Sequence, residues 1–118
     1  MPRIFISYRR DDSQGVAGRI YDRLVESFGA KNIFKDVDTI ALGSKWQEVL
    51  RREITRCDVM LVLIGDQWLT IADARTGRPR LENPYDWVRF EIATALKDDN
   101  IIVIPVLVNE LSSLPSQL

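Results

Sequence analysis

The chain has 118 residues, enough for one domain with a sizeable hydrophobic core and too few for two. Its 16 lysines and arginines nearly balance 17 aspartates and glutamates, so a formal net charge of −1 disfavours a dedicated nucleic-acid binder. The absence of histidine excludes Ser-His-Asp and Cys-His nucleophile systems and every histidine-containing metal site, so catalysis would depend on carboxylates, hydroxyls, arginine, lysine or the backbone.

Short apolar runs alternate along the chain with apolar residues at helical spacing. The pattern predicts strands over residues 4–8, 32–35, 58–64 and 101–108, and helices whose apolar residues lie in 16–28, 46–54 and 88–96. Asp12 and Ser13 are predicted to cap the first helix, and Asn83 with Pro84 to begin the third.

This β-α order predicts a doubly wound α/β fold with a parallel sheet. The most continuous apolar run, 58–64, is expected to be a central strand covered on both faces, and 101–108 a fourth buried strand. Residues 111–118 supply no further helix for that side of the sheet. We therefore expect residues 1–118 to form a single domain that lacks the last helix and is the amino-terminal part of a longer protein.

In such sheets ligands bind beyond the carboxyl ends of the strands, near the switch in strand order. Trp87 and Glu91 are spaced i, i+4 on the third helix, one residue from the apolar stripe, and are expected at the edge of that crevice. A glutamate beside an indole is partly desolvated, which raises its pKa and suits it to protonic or electrostatic work. The alternative is a surface glutamate paired with Arg89 or Lys97, or unpaired.

Arg9 and Arg10 follow the first strand, where the amino end of a helix and two guanidinium groups can hold a phosphate. Pairing with Asp11, Asp12 or Asp36 is the equally open alternative. Trp46 opens the second helix after the loop 36–44, where it can stack on a base or pack its own loop. Neither a Walker loop nor Gly-x-Gly-x-x-Gly is present.

Cys57 is the single cysteine, so it cannot form an internal disulfide or complete a metal cluster. We expect it beside the third strand as a small core residue, and we expect a reducing, cytoplasmic compartment. No stretch is long and apolar enough for a signal sequence or a membrane span, so no membrane contact is expected of this segment.

Four segments carry a resemblance to a known family. They are Phe5-Ile6-Ser7-Tyr8-Arg9-Arg10, the loop over 36–43, the run over 59–63, and the segment 86–96 that begins Asp86-Trp87-Val88. Together and in this order, the segments resemble a TIR (Toll/interleukin-1 receptor) domain, most of all bacterial TIR proteins and NAD-cleaving TIR enzymes.

The resemblance implies a flavodoxin-like sheet in which Glu91 is the catalytic glutamate. It places Trp46 and Trp87 where aromatic residues contact the nucleotide, and Tyr8, Arg9 and Arg10 near its ribose and phosphates. Asp38 and Gly43, in the loop between the second strand and second helix, are the remaining substrate-binding candidates. NAD+ would be the substrate, and no metal or resident cofactor is expected.

Two functions follow from the resemblance. The first is a NAD+ glycohydrolase or cyclase that releases nicotinamide in defence or cell-death signalling and works in self-associated form. The second is a non-catalytic module that binds other copies of itself or other TIR proteins. A more distant alternative is a nucleoside deoxyribosyltransferase-like enzyme, which uses a glutamate at an N-glycosidic bond on the same topology.

Overall fold

The structure is a computed structural model. It describes residues 2–35, 46–66, 68, 76–79, 82 and 86–108. The elements in chain order are β1 (Ile4–Ser7), α1 (Arg10–Phe28), a 3-10 turn (Ala30–Asn32), β2 (Ile33–Phe34), α2 (Trp46–Thr55), β3 (Val59–Ile64), α3 (Trp87–Leu96) and β4 (Ile102–Leu107). The alternation of strands and helices predicted from the sequence is confirmed, with boundaries that differ by a few residues.

The four strands form one parallel sheet in the order β2-β1-β3-β4. The chain adds β2 on one side of β1 and then returns to add β3 on the other side. This is the strand order of flavodoxin-like folds, whose ligands bind at the carboxyl ends of the strands where the order switches. That point here lies between β1 and β3, and β3 is the central strand that its apolar run predicts.

The period-two alternation of strand side chains divides the core between the two faces of the sheet. On one face, Phe5 and Met60 pack with Leu50 of α2 and Ala95 of α3. On the other, Ile4, Ile6 and Leu63 pack with Ala17 of α1. α1 therefore covers one face, and α2 and α3 cover the other.

The start of α1 differs from the prediction. The helix begins at Arg10, its N-cap is Arg9, and no side chain in the described part of the chain caps it. Ser13 leaves helical geometry (φ −143°, ψ 28°), and its buried hydroxyl has no hydrogen-bond partner among the described residues, so the expected capping role of Ser13 is wrong. Asp12 lies within the helix and is not its N-cap, and its side chain is outside the description. A backbone hydrogen bond from Ser13 N to Arg9 O closes a helical turn before Ser13, and the helix kinks at Ser13 before it continues.

The start of α3 also differs from the prediction. The N-cap is Asp86, whose carboxylate accepts a hydrogen bond from the backbone N of Arg89. The predicted start at Asn83 and Pro84 lies outside the described residues, and the helix itself begins later than expected. An aspartate at an N-cap satisfies an amide that has no partner within the helix and favours the positive end of the helix dipole.

β4 is a strand, as predicted, but it is not buried. Ile102, Ile104 and Leu107 are among the most exposed large apolar side chains of the described residues, and Leu107 is 80% exposed. β4 pairs with β3 alone among the described strands, so its outer side has no neighbour within that part of the chain.

Cys57 lies just before β3 and is buried in the core, as predicted. Burial raises the pKa of its thiol to about 11, which keeps the sulfur uncharged and unreactive near neutral pH. Within the described ranges, no helix combines the length and apolar character that crossing a bilayer requires.

Candidate functional site

A hydrogen bond between β1 and α3 marks the carboxyl end of the sheet. Ser7 is the last residue of β1 and, by alternation, faces the same side as Phe5, toward α3. Its Oγ donates a hydrogen bond of 2.7 Å to Oε1 of Glu91. Both residues are buried, so the bond is shielded from competing water.

Glu91 lies inside the protein and not at its surface. It is only 2% exposed and shares the buried stripe of α3 with Val88 and Ala95, whereas Leu96, predicted in that stripe, is 66% exposed. The sequence places Glu91 beside the apolar stripe, at the edge of the core, but in the structure it lies within the buried stripe. The alternative of a surface glutamate is therefore wrong. The sheet lies closer to this side of α3 than the spacing of apolar residues indicated.

Burial raises the pKa of Glu91 from 4.5 to about 8. The hydrogen bond from Ser7 opposes that rise because it stabilises the carboxylate. The negative charge of Asp86 adds to the rise, and the positive charge of Arg9 opposes it. The carboxyl therefore holds a proton at neutral pH and titrates only in mildly alkaline solution.

A second contact joins the residues next to these two elements, Arg9 after β1 and Asp86 at the N-cap of α3. The guanidinium of Arg9 donates two parallel hydrogen bonds to the Asp86 carboxylate, Nη1 to Oδ1 at 2.9 Å and Nη2 to Oδ2 at 2.8 Å. The side chains are 2% and 10% exposed, respectively. Such a two-pronged pair fixes both the distance and the orientation of its partners.

Several buried polar atoms near this end of the sheet have no hydrogen-bond partner in the described part of the chain. They include Nε of Arg9, Oγ of Ser13 and Nε1 of Trp68. Ser13 follows Arg9 by one helical turn, and Trp68 follows the carboxyl end of β3. Unsatisfied buried groups are uncommon in folded proteins and occur at functional sites.

The structure brings together only some of the predicted site residues. Glu91 and Arg9 lie at the same end of the sheet, and the charge of Arg9 acts on Glu91. Arg9 pairs with Asp86, an acid that the sequence did not suggest as its partner. The side chains of the acids considered from the sequence, Asp11, Asp12 and Asp36, are outside the description. The predicted contact of Arg9 with a nucleotide stays a prediction.

Tyr8 follows Ser7 and packs on the opposite face of the sheet, with the cluster under α1. Lys35 Nζ lies 6.0 Å from the centre of the Tyr8 ring and 5.2 Å from that of Tyr21, an arrangement typical of cation–π contacts. The ring therefore lies on the other side of the sheet from Glu91, and its predicted substrate contact is not tested.

For three of the remaining candidates the structure gives the position of the backbone only, and two candidates lie outside the described residues. Arg10, Trp46 and Trp87 are the first residues of α1, α2 and α3, and their side chains are outside the description. Asp38 and Gly43 lie outside the described residues altogether. All of these substrate-binding predictions stay predictions.

Ser7 and Asp86 are the site residues that sequence reasoning missed. For Ser7 the available signal was a polar side chain at the end of an apolar strand, on the face that alternation assigns to the core. For Asp86 it was an acidic residue directly before an apolar helix, which is the usual chemistry of an N-cap.

The parallel sheet, its strand order and a buried carboxyl at the switch in that order define a flavodoxin-like α/β domain with a candidate site at the carboxyl end of β1. A family model described as the TIR domain matches residues 4–118, nearly the whole chain. The chain therefore belongs to the TIR domain family. A comparison with curated proteins found no match.

Proposed function

We propose that this TIR domain is a NAD+ glycohydrolase or cyclase in which Glu91 acts on the bond between nicotinamide and ribose. The observation that supports the proposal is the buried Glu91 carboxyl, hydrogen-bonded to Ser7 at the carboxyl end of β1. The products are nicotinamide and ADP-ribose or a cyclic ADP-ribose isomer.

The residues available suit this reaction better than most hydrolyses. Ordinary glycosidases use two carboxyl groups because one must protonate the leaving oxygen. Nicotinamide leaves NAD+ as a neutral molecule, so its departure needs no acid. A single carboxylate that binds the ribose hydroxyls and stabilises the developing positive charge on the sugar is sufficient, and a chain without histidine can supply it.

The raised pKa of Glu91 fits a site that changes its charge when substrate binds. In the free protein the carboxyl is mostly neutral at pH 7, since its pKa is about 8. A pyridinium cation placed nearby lowers the pKa of a carboxyl and favours the carboxylate. The ionised Glu91 then stabilises the cationic sugar in a site shielded from water.

Activity is tested by incubating the full chain with NAD+ and following nicotinamide by chromatography, at high protein concentration or with a crowding agent. Glu91→Gln is the matched variant because its amide oxygen can still accept the hydrogen bond from Ser7. We expect wild-type release and at least about a hundredfold lower release from Glu91→Gln. No release from either protein under these conditions would exclude the enzyme.

A second candidate function is a non-catalytic module that binds TIR domains, either copies of itself or other TIR proteins in cytoplasmic signalling. The observation that favours it is the exposure of large apolar side chains on both faces of β4, Ile102 and Ile104 on one face and Leu107 on the other, and of Leu96 on α3. Light scattering across a concentration series distinguishes the candidates when read beside the nicotinamide assay. Concentration-dependent assembly without nicotinamide release supports this second function.

A further inference from the structure

We propose that Arg9 and Asp86 are positioning residues, which together hold Glu91 against Ser7. The inference rests on the proposed function, which it deepens by naming the pair that sets the location of the reacting carboxyl. It gives Arg9 a different task from the nucleotide contact that the sequence predicts.

The geometry carries the inference. Among the described residues, two polar contacts join this end of the sheet to α3 and its N-cap: the bond from Ser7 to Glu91, and the pair between Arg9, which follows β1, and Asp86. Asp86 also caps α3, since its Oδ2 accepts a hydrogen bond of 3.0 Å from Arg89 N. One carboxylate thus fixes the first turn of α3 to Arg9 in the connection after β1, and Glu91 lies about one and a half turns further along the same helix.

The burial and the two parallel bonds of the Arg9–Asp86 pair indicate that it positions α3 and does not serve only to stabilise the fold. Removing two charges from water costs free energy that their attraction barely repays, so a buried ion pair is weak evidence for stabilisation. A planar guanidinium bound to both oxygens of a carboxylate does specify one relative orientation of its two elements. Lateral movement or rotation of α3, which would separate Glu91 from Ser7, breaks at least one of the two parallel bonds.

Kinetics of three variants test the pair. Arg9→Gln and Asp86→Asn each remove one charge, and Asn still offers an oxygen to cap α3. We expect each single variant to lower kcat for nicotinamide release by on the order of 10- to 100-fold, with little change in KM, because a small displacement of a reacting group acts on the chemical step. The double variant is expected to be no slower than the slower single variant, since the two residues act as a unit.

Arg56→Gln is the matched control. Arg56 also pairs with an acid, Glu53, at 3.5 Å, but this pair is partly exposed (54% and 32%) and lies before β3, at the other end of the sheet. The control is expected to keep wild-type kcat and KM. A raised KM in Arg9→Gln with wild-type kinetics in Asp86→Asn would overturn the inference, because Arg9 would then contact substrate directly.

A measurement without NAD+ separates this inference from the proposed function. The charged and polar groups of the described residues that act on Glu91 are Ser7, Arg9 and Asp86. Carbon-13 NMR of the glutamate carboxyls gives the Glu91 pKa with and without Ser7→Ala, first in wild type and then in Asp86→Asn. If Asp86 holds Glu91 against Ser7, Ser7→Ala changes the pKa of Glu91 clearly less in the Asp86→Asn background than in wild type.

An equal effect of Ser7→Ala in both backgrounds would show that Glu91 stays in place without the pair, and the inference would be wrong. Absence of nicotinamide release from wild type would refute the proposed function alone. The NMR comparison decides the positioning role in either case, and circular dichroism of each variant establishes that it is folded.

Discussion

Glu91 makes the stability of the domain depend on pH. Its pKa is about 8 in the folded protein and close to 4.5 in an exposed chain, so the folded state holds this proton more tightly. The contribution of Glu91 to stability is therefore complete below about pH 4.5 and is lost as the pH rises to about 8.

Glu91→Gln removes this dependence because an amide does not titrate. We expect its free energy of unfolding to exceed that of wild type by on the order of a few kcal/mol near pH 8, and the difference to shrink toward acid pH. Urea unfolding of both proteins at several pH values measures this. Parallel pH profiles for the two proteins would mean that Glu91 is ionised at neutral pH when folded.

Ser7 acts on Glu91 through one hydrogen bond, which favours the carboxylate. We expect Ser7→Ala to raise the pKa of Glu91 further and to lower the free energy of unfolding by about 1 kcal/mol. Carbon-13 NMR titration of the glutamate carboxyls gives the pKa. A lower pKa in Ser7→Ala would contradict the bond.

At the residue scale the sequence identified the acid but not its partners. The i, i+4 spacing of Trp87 and Glu91 beside the apolar stripe, together with the resemblance to TIR domains, points to Glu91, whose catalytic role stays a prediction. The bonds that define its environment join residues 84 and 77 positions apart, Ser7 with Glu91 and Arg9 with Asp86. Local spacing carries no information on such contacts, so the sequence suggests only nearby acids as partners for Arg9 and does not indicate Asp86.

The α3 element depends on Asp86 in two ways, through the cap and through the ion pair. We expect Asp86→Ala to lower the free energy of unfolding by about 3 to 5 kcal/mol, because it leaves the buried Arg9 charge without its partner. Asp86→Asn, which retains a capping oxygen, should be about 1 kcal/mol less destabilising than Asp86→Ala. Urea unfolding of the variants measures the difference, and equal values would show that the cap contributes nothing.

The core helix α2 and the edge strand β4 should respond very differently to the same truncation. Leu50 is fully buried, so Leu50→Ala is expected to cost about 2 to 5 kcal/mol. Leu107 is 80% exposed, and Leu107→Ala is expected to cost less than about 0.5 kcal/mol. Thermal and urea unfolding give both values, and a large loss in Leu107→Ala would show that this side chain is covered in solution.

Periodicity in the sequence predicted the described strands and α-helices, but it did not predict how deeply each of them is buried. The run over 101–108 indicated a strand correctly, since its residues are β-branched and apolar. Its burial depends on how many elements lie beside it, which an apolar run alone does not specify. For the same reason the sequence did not predict that Glu91 is buried, since its burial depends on how α3 packs against the sheet.

The whole molecule is organised by its strand order. Placing β2 and β3 on opposite sides of β1 opens the carboxyl end of β1, and the residues there are Ser7 and Arg9. α3 crosses the same face and brings Asp86 and Glu91 to them. The alternation of strands and helices predicted this class of fold, and the family match agrees with it.

In the proposed reaction, the buried and protonated Glu91 loses its proton and becomes the carboxylate that acts on NAD+. The most direct test is the pH dependence of kcat/KM for nicotinamide release by wild type and by Glu91→Gln. Since kcat/KM reports groups of the free protein, we expect the wild-type value to rise with pH through about 8 and then level off, while Glu91→Gln stays low at every pH. A wild-type profile of kcat/KM without that rise, or equal nicotinamide release from the two proteins, would contradict this role of Glu91.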